Sequence, residues 1–587
     1  MKPWVAFAIS AYALYWVVGI VAPQTYRPSF LLLALVLTFL AHPASETRVA
    51  WRRAVDGLLI ALSAAALIWP IVQGDAFIYR AATPTPVDLA LGCTLIVVVL
   101  EATRRTVGAT LPITAVGFLL YAYFGPLLDR IGLSLVAHRG YSVERIVGVL
   151  YMTLEGILGV PLDVAATYIV LFTIFGAVLE YSGAGRFFVD WAMAAIGRAR
   201  AGAGPGRTVT LAGYLLGAVS GSGVANTVML GSVSWPMMRQ AGYPADTAGA
   251  ILAAAGIGAI LAPPVMGAAA FLIAEFLKIS YFDVVKMAAI PAFLYYLSIV
   301  ITVEADSRRL GLRESDAPPL RLAAVTRRGW FHFLSIATIF IFMARGETAF
   351  KAVFWATIIA VAVSFLSREH ALWPRRLAAA LSAGGVGIVP VVATTATAGI
   401  IVGVVTLTGL GLKAAGLIVT LAGDSTLLTM VYAAVAVWML GLAVPVTASY
   451  IIAAVMVAPA LTQVGISPAA AHMFIFYYAV LSEVSPPTAL SPFAAAAVTG
   501  GNPFRTTMLT WKYTIPAFIV PFVFTISPRG DAVLMQGSAA EILALLAGAT
   551  VGVAAIAAGS GGYLFKRLSV IERCLLVAAG IAVLTLV

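Results

Sequence analysis

The chain has 587 residues, of which 61% are hydrophobic and 10% charged, and its mean hydropathy is +1.00. That balance lies far outside soluble-globular usage and excludes a water-soluble domain. The formal charge of +11, from 36 Lys and Arg against 25 Asp and Glu, calls for no nucleic-acid partner, because basic residues collect in the cytoplasmic loops of membrane proteins.

Many apolar runs of about 18–20 residues each suffice to cross a bilayer core of ~30 Å as a helix. Helices are predicted near 4–22 and 28–42, before a first basic loop at Arg48, Arg52 and Arg53. With that loop inside, the N-terminus is cytoplasmic. Trp4–Val21 has no small-residue cleavage site and runs straight into another apolar stretch, so it reads as a span rather than a cleavable signal. Helices near 55–73 and 87–103 return the chain inside at Arg104 and Arg105, and a fifth, near 109–126, leaves it outside.

A first hydrophobic unit, about 160–303, then starts outside and ends inside at the basic Arg308–Arg328 segment. Linking helices near 329–345 and 348–366 go out and back to Arg368, Arg375 and Arg376. A second unit, about 380–526, therefore starts inside. Two final helices, near 538–559 and 571–587, flank an inside loop at Lys566 and Arg567.

The two units carry matching punctuation. Gly242 and Gly465, Pro263 and Pro486, and Pro264 and Pro487 all lie 223 residues apart. IPAF at Ile290–Phe293 recurs at Ile515–Phe518, and SGAG at Ser182–Gly185 echoes TGLG at Thr408–Gly411. Copies that begin on opposite faces are inverted relative to one another. The expectation is an all-α polytopic membrane protein with an inverted-repeat transporter core, its site at the Gly/Pro interruptions.

Irregular backbone survives in hydrocarbon only where it faces protein or a polar cavity. In the first copy Ser220, Gly221, Ser222, Gly223 and Asn226 combine glycines for a re-entrant turn with hydroxyl and amide oxygens. A helix start at such a turn suits a carboxylate, and unwound carbonyls suit Na⁺, a hard cation. Gly441, Pro445, Thr447 and Ser449 are the counterparts, with Ser449 aligned to Asn226. The same small residues also permit close helix packing. Each proline of Pro263–Pro264–Val265 and Pro486–Pro487–Thr488 frees a carbonyl one turn earlier, for use as an ion ligand, a hinge or a packing kink.

Glu483, three residues before Pro486, is the candidate carboxylate for a coupling proton or for balancing a cation, with a solvated helix end as the alternative. Glu275 near Lys278 reads as interfacial, Glu101 beside Arg104 and Arg105 as a membrane-boundary pair, and Glu180, before SGAG, as a helix-end residue. His42, His138, His332, His370 and His472 are scattered, and Cys93 and Cys574 have no metal spacing. Ala201–Arg207 has the glycines of a phosphate loop but neither its Lys-Ser/Thr ending nor a preceding strand. Without a nucleotide site or a catalytic cluster, the chain reads as a secondary transporter and not an enzyme.

SGSGVAN at the first turn, GYP, APPVMGAAAFLIAEFL (Ala262–Leu277), IPAFLYYL and VLSEVSPPTAL (Val480–Leu490) resemble the permease of a tripartite ATP-independent periplasmic (TRAP) transporter. EATRRTVG (Glu101–Gly108), LLYAYFGP (Leu119–Pro126) and HRGYS (His138–Ser142) extend the likeness to the fused form paired with TAXI-type binding proteins. The resemblance implies small-subunit scaffold helices over 1–140, a large-subunit-like transport unit over 141–530 and a C-terminal helix pair over 531–587. Ser142–Ile157, with Val143, Ile146, Val147, Leu150 and Leu154 on one face, suits an interfacial arm.

The resemblance further implies an elevator in the cytoplasmic membrane whose two re-entrant hairpins hold substrate and ion. A periplasmic protein would deliver an organic acid, with Na⁺ as the driving ion and no cofactor. No aspartate flanks either double proline, which leaves proton coupling open. The alternative is an elevator-type dicarboxylate symporter that needs no binding protein.

Overall fold

The computed structural model describes residues 1–19, 21–43, 50–196, 203–312, 321–527 and 529–586. Arg48, the Arg52 side chain, residues 313–320 of the basic Arg308–Arg328 segment and residues 201–202 of the glycine-rich Ala201–Arg207 stretch lie outside them. The described residues are overwhelmingly helical, with no strand beyond a single bridge between Tyr563 and Arg567. Among the described residues, eight helices are long and apolar enough to cross a membrane by length and composition.

The helices start and stop where local chemistry dictates. Thr85 caps Pro86–Val107 in a reciprocal capping box with Asp88. Gly311, in the left-handed region at φ 65°, ends the 30-residue helix Tyr281–Leu310. The two repeats match element by element. A long helix leads to a short helix, a hairpin, a Gly turn at Gly242 (φ 86°) or Gly465 (φ 92°), a broken helix and a long terminal helix. The breaks separate Ala245–Leu261 from Ala268–Leu277, and Pro468–Leu481 from Leu490–Thr499. Both double prolines contain a cis peptide bond.

The chain forms two compact units. One comprises Met1–Tyr181 with Glu347–Val464. In it the N-terminal helices pack on the opening helices of both repeats through small residues and polar crossings, the means available where lipid removes the hydrophobic drive. A Cβ on Gly385 would come within 2.1 Å of the Ala6 carbonyl oxygen. The Thr103 hydroxyl meets the Ala393 carbonyl at 2.9 Å and Thr397 Oγ1 at 2.7 Å. The arm helix Val143–Met152 is capped by Ser142 and buries Ile146, Val147 and Leu150. It stops short of the predicted 157, however. Thr153 turns extended, and Val143 and Leu154 are exposed.

The other unit comprises Ser182–Gly346 with Gly465–Val587. Its terminal helices Tyr281–Leu310 and Pro503–Ile526 are joined by the buried Asp306, which accepts from Lys512 Nζ and the Tyr513 hydroxyl, both at 2.5 Å. Arg309 lies 3.1 Å from the same carboxylate. The last two helices, Ala539–Gly561 and Val570–Leu586, form an antiparallel pair against Tyr281–Leu310, and Gly552 meets Leu584 and Gly580 between them.

Candidate functional site

The first hairpin consists of Gly204–Gly217 and Gly223–Gln240, both in the second unit. Ser220, Gly221 and Ser222 make its tip. Ser222 is the N-cap of the returning helix, its Oγ accepting from the Ala225 N–H at 3.3 Å. Asn226 Nδ2 donates to the Ser220 carbonyl at 2.7 Å, which folds the turn back on the helix.

This tip touches both helix breaks of its unit. A Cβ on Gly221 would fall 1.9 Å from the Met266 carbonyl oxygen, so only glycine lets the tip lie on the first break. Gly223 faces Glu483 at the second break, where an added Cβ would sit 2.8 Å from Oε1. The structure thus brings together Ser220, Gly221, Ser222, Gly223, Asn226, Pro263, Pro264, Val265 and Glu483. Pro486, Pro487 and Thr488 continue the second break.

Asn226 is fully buried and its side-chain oxygen has no hydrogen-bond partner among the described residues. Thr227 Oγ1, next along the helix, is likewise buried and unpartnered. It lies where a Cβ on Gly256 would come within 2.1 Å. Buried oxygens without donors are costly and need an account, and here two adjoin the tip.

Many carbonyls at the breaks already have partners. The Tyr281 hydroxyl reaches the Pro264 and Val265 carbonyls at 2.9 and 2.8 Å. Trp511 Nε1 donates to the Val484 carbonyl at 3.0 Å. Thr488 Oγ1 donates to the Ser482 carbonyl at 3.2 Å. Glu483 is half-buried in the 3₁₀ turn Ser482–Val484. Its Oε1 accepts from Ser491 Oγ at 2.8 Å.

The counterpart tip belongs to the first unit. Gly441 ends the helix Thr426–Gly441, and Pro445 is the N-cap of Val446–Met456 with no side-chain cap. Thr447 lies in the first turn of that helix, and Ser449 is fully buried, its Oγ 3.5 Å from the Val437 carbonyl. Tyr281, Trp511, Thr227 and Ser491 were not among the residues singled out by sequence. Tyr281 and Trp511 fall at positions where the other copy has Ala or Phe, so the duplication does not flag them.

The other carboxylates singled out are paired or exposed. Glu101 binds Arg104 at 2.7 Å and Arg105 at 2.6 Å, Glu275 pairs with Lys278, and Glu180 is exposed. Among the described residues no group of His, Cys, Asp or Glu could hold a metal ion.

The DctM component of tripartite ATP-independent periplasmic transporters matches residues 94–529, which are 436 of the 587. The 2,3-diketo-L-gulonate TRAP transporter large permease protein of Escherichia coli K12 is 26% identical over 326 residues, covering 54% of this chain and 73% of that protein. A Haemophilus influenzae protein described as a TRAP transporter large permease is 24% identical over 318 residues, with the same two coverages. The duplicated broken helices and the glycine-built tip therefore lie in a membrane transporter and not an enzyme: the chain belongs to the DctM family of TRAP transporter large permeases.

Proposed function

We propose that this chain is the membrane permease of a TRAP system that imports an organic acid, handed over by a periplasmic binding protein of the TAXI type and driven by a Na⁺ gradient through an elevator movement. In this reading residues 1–140 are a small subunit fused to the large one, and the N-terminus is cytoplasmic. The observation that carries it is the first tip, where Gly221 lies on one helix break and Gly223 faces the other, with the unpartnered oxygens of Asn226 and Thr227 on the helix that follows, all within one unit. Oxygen donors of this kind suit Na⁺.

Sidedness is supported by polar contacts that join segments assigned to the same face by the charge pattern. Arg27 binds Asp163 at 2.7 Å and Lys413 Nζ donates to the Ala137 carbonyl at 2.5 Å, all on the outer side. Arg105 binds Asp56 at 2.5 Å, and Arg567 reaches the Arg309 carbonyl at 3.2 Å, on the inner side. A carboxylate substrate agrees with the sugar-acid named for the Escherichia coli relative.

The test is uptake into proteoliposomes with the cognate binding protein, under separately imposed Na⁺ and proton gradients. Accumulation driven by Na⁺ is expected. Accumulation driven by protons alone would overturn the choice of ion. Uptake that persists without the binding protein would favour a free-standing dicarboxylate symporter, and uptake that never exceeds equilibrium would favour a channel.

A further inference from the structure

From the tip, Gly223–Gln240 runs back alongside Ala245–Leu261, and glycines keep the two helices close. A Cβ on Gly256 would strike Thr227 Oγ1, and four residues along each helix a Cβ on Gly231 would lie 3.6 Å from Leu252 Cδ1. The same antiparallel register sets Ser234 opposite Gly249. There the helices Leu490–Thr499 and Pro503–Ile526 close the seam. A Cβ on Gly249 would lie 3.2 Å from Thr499 Oγ1 and 3.5 Å from Thr506 Oγ1. All four helices belong to one unit.

Close packing alone does not call for oxygens here. Ser234 and Thr506 are fully buried, and neither hydroxyl has a hydrogen-bond partner among the described residues. Two turns nearer the helix end, Ser234 thus repeats what Asn226 and Thr227 show at the tip. Thr499 Oγ1 accepts the Gly501 N–H at 3.4 Å. Between the two polar levels stands an apolar layer, because a Cβ on Gly231 would fall 2.9 Å from Val498 Cγ1, with Leu252 beside it. The seam ends at Asp246, whose carboxylate accepts the Asn502 N–H at 2.7 Å and lies 3.7 Å from Arg505 Nε. The charge pattern assigns this end to the inside. The duplication does not demand such a seam: 223 residues on, Thr227, Ser234, Gly249 and Gly256 are answered by Tyr450, Val457, His472 and Ala479.

We propose that this seam is the route by which the coupling ion passes from the tip to the inner face. The ion moves from the level of Asn226 and Thr227 to that of Ser234, Thr499 and Thr506, and the layer of Val498 and Leu252 is the gate between them. Oxygens without internal partners are free to replace the water around a hard cation. An apolar constriction stops ions by staying dry until its side chains part. The route rests on the reading of the first tip as the ion site.

The experiment uses the full chain in proteoliposomes with its cognate binding protein, and compares the parent with Thr506→Val, Ser234→Ala and Val498→Ala. Substrate uptake under an inward Na⁺ gradient, Na⁺ leak without substrate, and melting temperature are read for each. Thr506→Val keeps the shape and removes the oxygen. Its uptake is expected to fall about fivefold while its melting temperature holds or rises, because an unpartnered hydroxyl has gone. Ser234→Ala is expected to act in the same direction. Val498→Ala thins the gate and is expected to raise the Na⁺ leak about fivefold. Parent-like uptake in both hydroxyl variants overturns the route, and so does a parent-like leak in Val498→Ala. Uptake lost together with a lower melting temperature in the hydroxyl variants means that these oxygens hold the fold, which overturns it as well. If the parent itself accumulates substrate equally without Na⁺, it is the reading of the tip as a Na⁺ site that fails.

Discussion

Gly221 has no room for a side chain, because the atom a Cβ would strike is the Met266 backbone oxygen and not a flexible side-chain end. Gly221→Ala must therefore displace the tip or the break, at the ~1–3 kcal/mol typical of overpacking. Uptake should drop at least tenfold while the protein remains in the membrane, and normal uptake would show that the tip is not held where it lies. Tyr281 argues the opposite case, of a group that satisfies rather than excludes. Its hydroxyl donates toward two buried carbonyls, so Tyr281→Phe should cost about 1–3 kcal/mol, read as a lower melting temperature in detergent. Sequence reasoning reached Gly221 and missed Tyr281 for one reason. Glycines, serines and prolines interrupting an apolar run are conspicuous. A tyrosine that bonds backbone from a neighbouring helix looks like any other apolar-helix tyrosine, and 223 residues on stands Phe504, which lacks a hydroxyl.

Among the elements, the loop between Thr110–Tyr123 and Val143–Met152 is organised by His138. Its Nε2–H donates to the Tyr121 carbonyl at 3.0 Å and its Nδ1 accepts the Gly140 N–H at 3.1 Å, an arrangement only the neutral ring can make. Burial, with Lys413 nearby, holds its pKa below the ordinary 6.5, while Tyr121 and Tyr141 pack on the ring. A depressed folded pKa means the contribution is fully present above pH 6.5 and is lost as the pH falls below it. A cysteine at Leu135, exposed in this loop, should become more reactive in its surroundings at pH 5 than at pH 7.5 after correction for thiolate fraction, and His138→Gln should abolish the difference. The terminal helices of the two repeats depend on Asp306 in a comparable way. Asp306→Asn leaves Lys512 without its partner, at a cost toward the lower end of ~3–5 kcal/mol, because that side chain keeps 15% exposure. A melting temperature unchanged from the parent would mean that the ion pair adds nothing. The recurring IPAF marked both stretches in the sequence but could not pair Asp306 with Lys512, which lie 206 residues apart.

For the whole molecule, the all-α membrane class and the duplicated Gly/Pro punctuation were legible because apolar runs and Gly/Pro breaks are local signals. The grouping of helices was not, because it depends on which faces meet. Sidedness makes an expectation at this scale. In a Cys93→Ser, Cys574→Ser background, a cysteine at Leu135 should react with an impermeant thiol reagent from the periplasmic side, and one at Phe565, 88% exposed, only from the cytoplasmic side. The reverse pattern would invert the topology. The division into units cuts each repeat in two, the first between Tyr181 and Ser182 and the second between Val464 and Gly465. Domains generally assemble as their chain emerges, N-terminal parts first. Here neither unit is contiguous, so the opening unit lacks its closing helices until residue 464 has been synthesised. The stretch from Ser182 to Gly346 must likewise wait in the bilayer for the final 123 residues, Gly465–Val587. Biogenesis of this protein therefore requires two half-built packings to coexist on the ribosome, and a ribosome stalled before residue 464 would release a chain with no finished unit.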